Sequence, residues 1–320
     1  FDDFMLSAGL RYELLSVDSA PNFNANYFAT YGLSNTENID GINILLPRIS
    51  FNWQFSKKLV LRGGLGRYTG GTPLVWFSNA YTNDGVTNTS ATSAAVAATI
   101  ADPANIIFDS VPISLQNSLA AGNGSTNTID SNFTMPSDWR YQLAADLRFD
   151  VPGLGNNFLW SSELIYVQRH DAAFWIDQSR FKSAETVEGR TIWGNIYGTE
   201  SRFDIQLSNS KDSGDSTILT TSLNKRWDSG LKLNVSYTNQ NITEVNPGNA
   251  SNADSSYFDE VIINRNTPLK GRAFYEIEHR FVLNLGYENE FIQGYNTSLN
   301  LFWERSSGRP FSWTLGRESL

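Results

Sequence analysis

Residues 45–85 read LLPRISFNWQFSKKLVLRGGLGRYTGGTPLVWFSNAYTNDG and carry the strongest structural signal in the chain. Apolar side chains alternate with polar ones at Ile49, Phe51, Trp53 and Phe55. A period of two places apolar side chains on one face of a strand and polar ones on the other. A second such run starts at Leu59, after a short turn at 56–58. Each run has about 10 to 12 residues, whereas an ordinary strand has about 5 or 6 and a strand that crosses a bilayer about 9 to 11. The stretch therefore predicts one hairpin of a transmembrane β-barrel.

The same alternation recurs along the chain. Besides the two strands of the opening stretch, it predicts strands at about 4–14, 138–150, 158–170, 217–227, 231–243, 275–288 and 295–306. The turns near residues 57, 154, 229 and 292 are short, roughly 3 to 7 residues, and every other connection has about 30 or more. Outer-membrane barrels alternate in this way, with short periplasmic turns and long external loops. The predicted fold is thus all-β, an antiparallel transmembrane β-barrel with about nine or ten long strands.

Composition excludes several other classes of protein. The 320 residues have a mean hydropathy of −0.32 and contain no apolar run long enough for a membrane-spanning helix. The absence of cysteine removes disulfides and thiolate metal sites. A net charge of −9 argues against nucleic acid as a partner.

Motif order along the chain resembles that of the Oar-like TonB-dependent outer-membrane receptors. The matching stretches are AGLRY (8–12), LPR (46–48), LRGGLGRYTG (61–70), WFSNAY (76–81), HRF and LGY (279–287), and SGRPFS (307–312). The resemblance implies a barrel of about 22 strands, an N-terminal plug and a TonB box. It also implies energised transport across the outer membrane, driven through the TonB complex.

We expect the chain to be a fragment of such a receptor. Nine strands are an odd number, bacterial barrels have even numbers, and an open edge cannot lie in lipid. No signal peptide precedes the first strand. We therefore interpret residues 1–320 as one partial barrel domain, with the plug and the last strands elsewhere. The expected partners are outer-membrane lipid, the receptor's own plug, the TonB complex and an unidentified ligand, and no cofactor is expected.

Candidate functional residues fall into two groups. Loops on a rigid scaffold carry function, so loop aromatics and one amide are the candidate ligand contacts: Trp76, Phe77, Asn79, Tyr81, Trp175, Trp193 and Tyr197. Charged residues on the polar strand faces are the candidate lumenal or plug-facing residues: Arg11, Arg48, Arg62, Arg140, Arg148, Arg280 and Glu288. Tryptophans near strand ends, by contrast, fit the interfacial girdle: Trp53, Trp139, Trp160, Trp227 and Trp303.

Catalytic and metal sites find little support. His170 and Asp171 lack a nucleophile elbow, and two scattered histidines do not make a zinc site. The carboxylates Glu276, Glu278, Glu288 and Glu290 fall on one face of the predicted strand 275–288 and its continuation. We expect them to pair with the polar-face arginines rather than to hydrolyse glycosides. The sequence thus predicts neither an enzyme nor a metal protein.

Two alternatives remain open: a passive porin or adhesin barrel, and a soluble carbohydrate-binding all-β domain. For the loops, we expect the first part of 70–137 to fold inward over the pore mouth. Its Ala-rich middle can form a short helix and should be mobile. We expect Thr89 to be external and Lys57 periplasmic, and residues 203–217 to form a hairpin extension.

Overall fold

The computed structural model describes residues 3–70, 74–88, 93–102, 109–116, 122–198, 202–259, 262–267 and 269–313. Strands dominate these ranges. In chain order they are β1 (Phe4–Leu14), β2 (Asn43–Trp53), β3 (Leu59–Tyr68), β4 (Thr128–Ile129), β5 (Ser137–Val151), β6 (Gly155–His170), β7 (Ala172–Asp177), β8 (Arg180–Glu185), β9 (Thr191–Asn195), β10 (Ile205–Ser210), β11 (Asp215–Arg226), β12 (Leu231–Glu244), β13 (Gly271–Arg272), β14 (His279–Ile292) and β15 (Tyr295–Ser306). The helices are α1 (Ala25–Tyr31), α2 (Leu74–Thr82), α3 (Ser93–Ala101), α4 (Ile113–Gln116) and α5 (Ala253–Phe258).

One large antiparallel sheet organises the molecule. Its order is β1-β2-β3-β5-β6-β11-β12-β14-β15, so each strand lies beside its neighbour in the chain. The short strand β13 pairs with the end of β12. This up-and-down order confirms the predicted antiparallel barrel wall, and the long strands begin and end within a few residues of the predicted positions.

The register gives the sheet two faces of different character. Directly opposite residues share a face, so Ile49 of β2 lies beside Ala8 of β1 and Leu65 of β3 on what we call the apolar face. The predicted girdle tryptophans of β2, β5, β6 and β15 lie on this face as well. The opposite, polar face carries Arg48, Arg62 and Arg140.

Connection lengths alternate between the two ends of the sheet. At the turn end the strands are joined by residues 54–58, 152–154, 227–230 and 293–294. At the loop end they are joined by loop 1 (15–42), loop 2 (69–136), loop 3 (171–214) and loop 4 (245–278). The predicted alternation is confirmed, and these four loops hold all five helices of the described ranges.

The four loops fold together into what we call the loop layer. Its core joins aliphatic and aromatic side chains of all four loops to Ile44 and Leu46 of β2, which lie on the polar face. Within the layer, β10 pairs with β7 and β4, and β8 pairs with β9. The predicted hairpin at 203–217 is therefore wrong, because β10 finds its partners inside the layer. Thr89 lies outside the described residues, whereas the predicted helix in the Ala-rich stretch is α3.

The predicted strand 275–288 is corrected at its start. The strand begins at His279, and Tyr275 and Ile277 lie in the turn before it. An alternating pattern continues into this turn, so the sequence alone did not mark the boundary. No helix among the described residues is long and apolar enough to cross a membrane.

Candidate functional site

Ion pairs connect neighbouring strands of the polar face. Among the predicted residues, Arg62 binds Asp146 at 2.8 Å and Arg280 binds Glu304 at 2.9 Å, each across a strand boundary. Within single strands, Arg11 pairs with Glu13 and Arg140 with Asp138. These pairs are solvent-exposed, so each contributes little to the stability of the fold. Each pair neutralises one positive and one negative charge on this face.

Tyr68 lies between two of the predicted arginines. The guanidinium carbon of Arg48 is 4.3 Å from the centre of the Tyr68 ring, and that of Arg140 is 5.3 Å away. Cation–π contacts of this kind attract a cation to the ring face. Tyr68 therefore lies against two cations near the loop end of the polar face, and one of them, Arg140, is also paired with Asp138.

The predicted carboxylate cluster is corrected. Glu276 is buried in the turn before β14, where it accepts hydrogen bonds from Arg272 Nε at 2.6 Å and from the Ile242 N–H at 2.6 Å. Glu288 pairs with Lys232 at 2.5 Å. Four of the predicted polar-face arginines pair instead with other carboxylates: Arg11 with Glu13, Arg62 with Asp146, Arg140 with Asp138 and Arg280 with Glu304.

The predicted ligand aromatics lie in the loop layer, and several are buried. Trp76 of α2 packs edge-on against Trp175 of β7, with ring centroids 5.1 Å apart. Phe77 packs against Phe133 at 5.6 Å, and both Phe77 and Trp175 are buried in the core shared with Leu46. The first described part of loop 2 thus folds inward onto the polar face of β2, as expected. Trp76 contacts other loops there.

Asn79 and Tyr81 extend these contacts between loops. The Asn79 amide donates to the Ser251 carbonyl at 2.8 Å and accepts from the Ala253 N–H at 3.2 Å, which ties α2 to the start of α5. The Tyr81 hydroxyl donates to the Ser19 carbonyl at 2.8 Å. Phe77 and Asn79 therefore hold α2 against the other loops of the layer. Trp76 and Tyr81 are only partly buried and remain accessible in part.

The last two predicted aromatics lie on loop 3. Trp193 is half-buried on β9, opposite Lys182 of β8. Tyr197 is half-buried beneath Arg202, whose guanidinium carbon is 3.8 Å from the ring centre. The Tyr197 hydroxyl donates to Asp204 Oδ2 at 2.6 Å, which leads into a buried network that sequence reasoning missed.

Two fully buried carboxylates, Asp177 and Asp204, form the centre of this network. The Asp204 N–H donates to Asp177 Oδ1 at 3.0 Å. Arg180 Nε and the Ser179 hydroxyl also donate to Asp177, at 2.9 and 2.6 Å. A buried charge needs such donors, because an uncompensated one costs several kcal/mol. We call Asp177 and Asp204 the acidic hub.

All four loops converge on the acidic hub. From loop 1, the Tyr31 hydroxyl donates to Asp204 Oδ2 at 2.7 Å, and from loop 2 the Thr126 N–H donates to Oδ1 at 2.9 Å. Loop 3 supplies the two aspartates. From loop 4, the Asn266 side chain exchanges two hydrogen bonds with the Asp177 backbone, at 2.8 and 3.0 Å. The hub therefore joins the loops into one layer.

Local sequence explains how Tyr31 reaches the hub. Asn24 caps α1, since its side chain accepts from the N–H groups of Asn26 and Tyr27, and Gly32 ends the helix with a φ of 68°. Tyr31 is the last residue of that helix. An asparagine cap such as Asn24 is a local signal in the sequence. The contact between Tyr31 and Asp204 is not, because 173 residues separate them.

Burial shifts the titration of Asp204 and of its two tyrosine donors. It raises the pKa of Asp204 above the usual range, although the two tyrosine donors oppose the shift. Burial and donation to Asp204 raise the pKa of Tyr197 to about 12. Burial and its hydrogen bonds to Tyr197 and Asp204 also raise the pKa of Tyr31. At neutral pH both tyrosines are hydrogen-bond donors.

The described ranges hold no candidate metal cluster. No group of three or more His, Cys, Asp or Glu side chains converges there. Asp212 and Asp215, which lie in a turn-rich run, instead share the ammonium of Lys270 at 3.5 and 3.4 Å. That ammonium occupies the space between the two carboxylates.

The chain matches a known protein family over most of its length. The family described as "Outer membrane beta barrel domain" matches residues 2–314. No curated protein matches the chain.

Solved structures of outer-membrane proteins are similar at low identity. The siderophore receptor PirA from Pseudomonas aeruginosa is 10% identical, with a TM-score of 0.42 over 96% of this chain and 38% of the receptor. The FrpB iron transporter from Neisseria meningitidis is 10% identical, with a TM-score of 0.43 over 94% of this chain and 30% of the transporter. The toluene transporter TodX from Pseudomonas putida is 9% identical, with a TM-score of 0.27 over 95% of this chain and 66% of the transporter. The chain thus spans about a third of the length of the first two proteins.

The family match agrees with the two faces of the sheet. In an outer-membrane barrel the apolar face contacts lipid and the polar face lines the lumen. The chain belongs to the outer membrane β-barrel domain family, and its location is the bacterial outer membrane.

Proposed function

We propose that this chain forms part of the barrel wall of an Oar-like TonB-dependent receptor, which transports a solute across the outer membrane with energy supplied through TonB. The observation that carries the proposal is the packing of Phe77 and Trp175 into one core with Leu46. Leu46 belongs to the polar face of β2, so the loop layer lies over the lumen mouth. A covered mouth fits a gated transporter better than an open pore.

We propose further that residues 1–320 are one domain of a larger barrel. The strands β1 and β15 each pair on one side only within the described ranges. Unpaired backbone groups at a lipid-exposed edge cost several kcal/mol each. Additional strands of the same receptor would satisfy both edges, and its plug would lie in the lumen beside the solute path.

Residue roles follow from this arrangement. The polar-face residues Arg11, Arg48, Arg62, Arg140, Arg148, Arg280 and Glu288 face the plug or the solute path. The half-exposed aromatics Trp76, Tyr81, Trp193 and Tyr197 contact the ligand, whereas buried Phe77, Asn79 and Trp175 hold them in place. The proposal includes no catalytic step.

Deletion strains test the energised step even though the transported solute is unidentified. Solutes removed from the medium by the parent bacterium would be compared with those removed by strains lacking the receptor or TonB. We expect every solute that the receptor mutant leaves behind to be left behind by the TonB mutant as well. Continued uptake of those solutes without TonB contradicts the proposal.

The passive porin is the alternative to exclude. Full-length receptor in liposomes should cause no swelling in isotonic sugar solutions, because the loop layer covers the mouth. Swelling as fast as that caused by a general porin would favour the alternative and contradict gating.

A further inference from the structure

Two adjacent rows of the polar face form a shallow cradle at the turn end. The register places Asn224, Asn234 and Asn284 side by side across β11, β12 and β14. The next row toward the turns holds Arg226, Lys232, Gly286 and Asn300. With Arg148 of β5 at one side, these eight residues are among those that line a cavity of about 610 Å³, which we call the cradle.

Positive charge is concentrated in the cradle. Arg148, Lys225, Arg226 and Lys232 line the cavity, and none of its described lining residues is a carboxylate. Glu288 binds Lys232 at 2.5 Å and is also attracted by Arg226, while Asp150, two residues from Arg148, pairs with Lys58. Neither Arg148 nor Arg226 has an ion-pair partner among the described residues. Elsewhere on the same face, Arg62 and Arg280 are paired across strands. The cradle therefore carries a local excess of positive charge, although the chain as a whole has a net charge of −9.

Amide groups surround these cations. Asn224 and Asn234 hydrogen-bond to each other across their strands. Gly286 leaves space beside Asn300, since a Cβ there would come within 3.0 Å of the Asn300 Oδ1. The cradle therefore combines guanidinium forks, an ammonium and amide donors around one concavity.

We propose that the cradle binds a small anionic solute bearing carboxylate or phosphate groups. Guanidinium groups match planar oxyanions with two parallel hydrogen bonds, and amides donate to the remaining oxygens. The proposal rests on the proposed function, because it places the solute on the lumenal path. The cavity volume lies within the range of small-molecule sites, about 300 to 1,000 Å³.

Calorimetric titration of citrate into purified full-length receptor in detergent tests this site. The variant carries Arg148→Gln and Arg226→Gln, and the control carries Arg305→Gln, on the apolar face of β15 opposite Phe281. We expect citrate to bind, to bind more weakly as salt increases, and to lose at least about tenfold in affinity in the double variant. The control should retain the affinity within about twofold, and the uncharged trimethyl ester of citrate should not bind.

Three results would overturn the inference: no citrate binding, equal affinity in the double variant, or equal binding of the ester. The first result is also what a polypeptide filling the cradle would produce. Heat-modifiable migration on gels checks that the double variant is folded. Because the titration needs no energy source, failure of the anion site is distinguishable from failure of TonB-dependent transport.

Discussion

The backbone N–H of Asp204 donates to the Asp177 carboxylate at 3.0 Å, so two fully buried acidic residues of loop 3 are joined directly. Neither is close to the other in sequence. Each brings donors from other loops, which makes the pair the point where the loop layer is held together. The layer should therefore loosen as a unit when the pair is broken.

Asp204→Ala tests this unity. The substitution leaves the hydroxyls of Tyr31 and Tyr197 and the Thr126 N–H without their acceptor, and loss of one partner in a buried charged network costs about 3 to 5 kcal/mol. We expect faster amide hydrogen exchange in loops 1, 2 and 3 together, measured by mass spectrometry on the full-length receptor. Lys182→Ala, which breaks only an exposed pair with Glu185, should change exchange little. Faster exchange confined to loop 3 would show that the hub does not join the loops.

Tyr31 and Tyr197 should lose their hydroxyl protons at a higher pH than an ordinary tyrosine does. The pKa of Tyr197 is raised from 10.0 to about 12, and that of Tyr31 is also raised. A raised pKa in the folded state contributes stability that is complete below pH 10 and is lost as pH rises toward 12. The pKa of Asp204 is also raised in the folded state, so protonating this carboxyl in mild acid should not weaken the layer. Ultraviolet titration of tyrosinate should show that Tyr31→Phe with Tyr197→Phe removes absorbance from the late phase. Removal from the phase near pH 10 would contradict the buried hub.

Sequence reasoning succeeded where local pattern determines structure. Alternation and turn length gave the strand positions, the two faces and the alternating connections. The sequence did not predict contacts between residues that are distant along the chain. Asp204 and Asn266 gave no local signal, because their partners come from other loops. Likewise, Phe77 and Trp175 were predicted as ligand contacts, but an aromatic side chain in a loop has the same sequence signature whether it binds a ligand or fills a core.

Gly230, in the turn between β11 and β12, and Gly294, in the turn between β14 and β15, should differ in their tolerance of alanine. Gly230 has a φ of 89°, and a Cβ there would overlap the Glu288 carbonyl oxygen. Gly294 has a φ of 85° with nothing nearby. Gly294→Ala should cost only the left-handed backbone penalty, about 1 to 2 kcal/mol, whereas Gly230→Ala should cost more because the chain must also shift. Denaturant unfolding followed by tryptophan fluorescence measures both. Equal losses would show that the Gly230 turn relaxes freely.

Neighbouring residues of β14 should differ in tolerance of charge. Leu283 lies on the apolar face opposite Val235 and Trp303, whereas Asn284 lies on the polar face. Leu283→Asp places a carboxylate in lipid and should reduce assembled receptor in outer-membrane fractions at least severalfold. Asn284→Asp should assemble normally. Equal yields of the two variants would reject the assignment of the faces.

We expect the four long loops to lie outside the cell and the short turns to face the periplasm. Val187 is fully exposed at the tip of the β8–β9 hairpin in loop 3, and Lys57 lies in the turn between β2 and β3. The chain contains no cysteine, so single cysteines at these positions give an unambiguous readout within it. On intact cells, a membrane-impermeant maleimide should label Val187→Cys of the full-length receptor and leave Lys57→Cys unlabelled until the outer membrane is opened. Labelling of Lys57→Cys but not Val187→Cys on intact cells would show the inverse topology, with the short turns outside the cell.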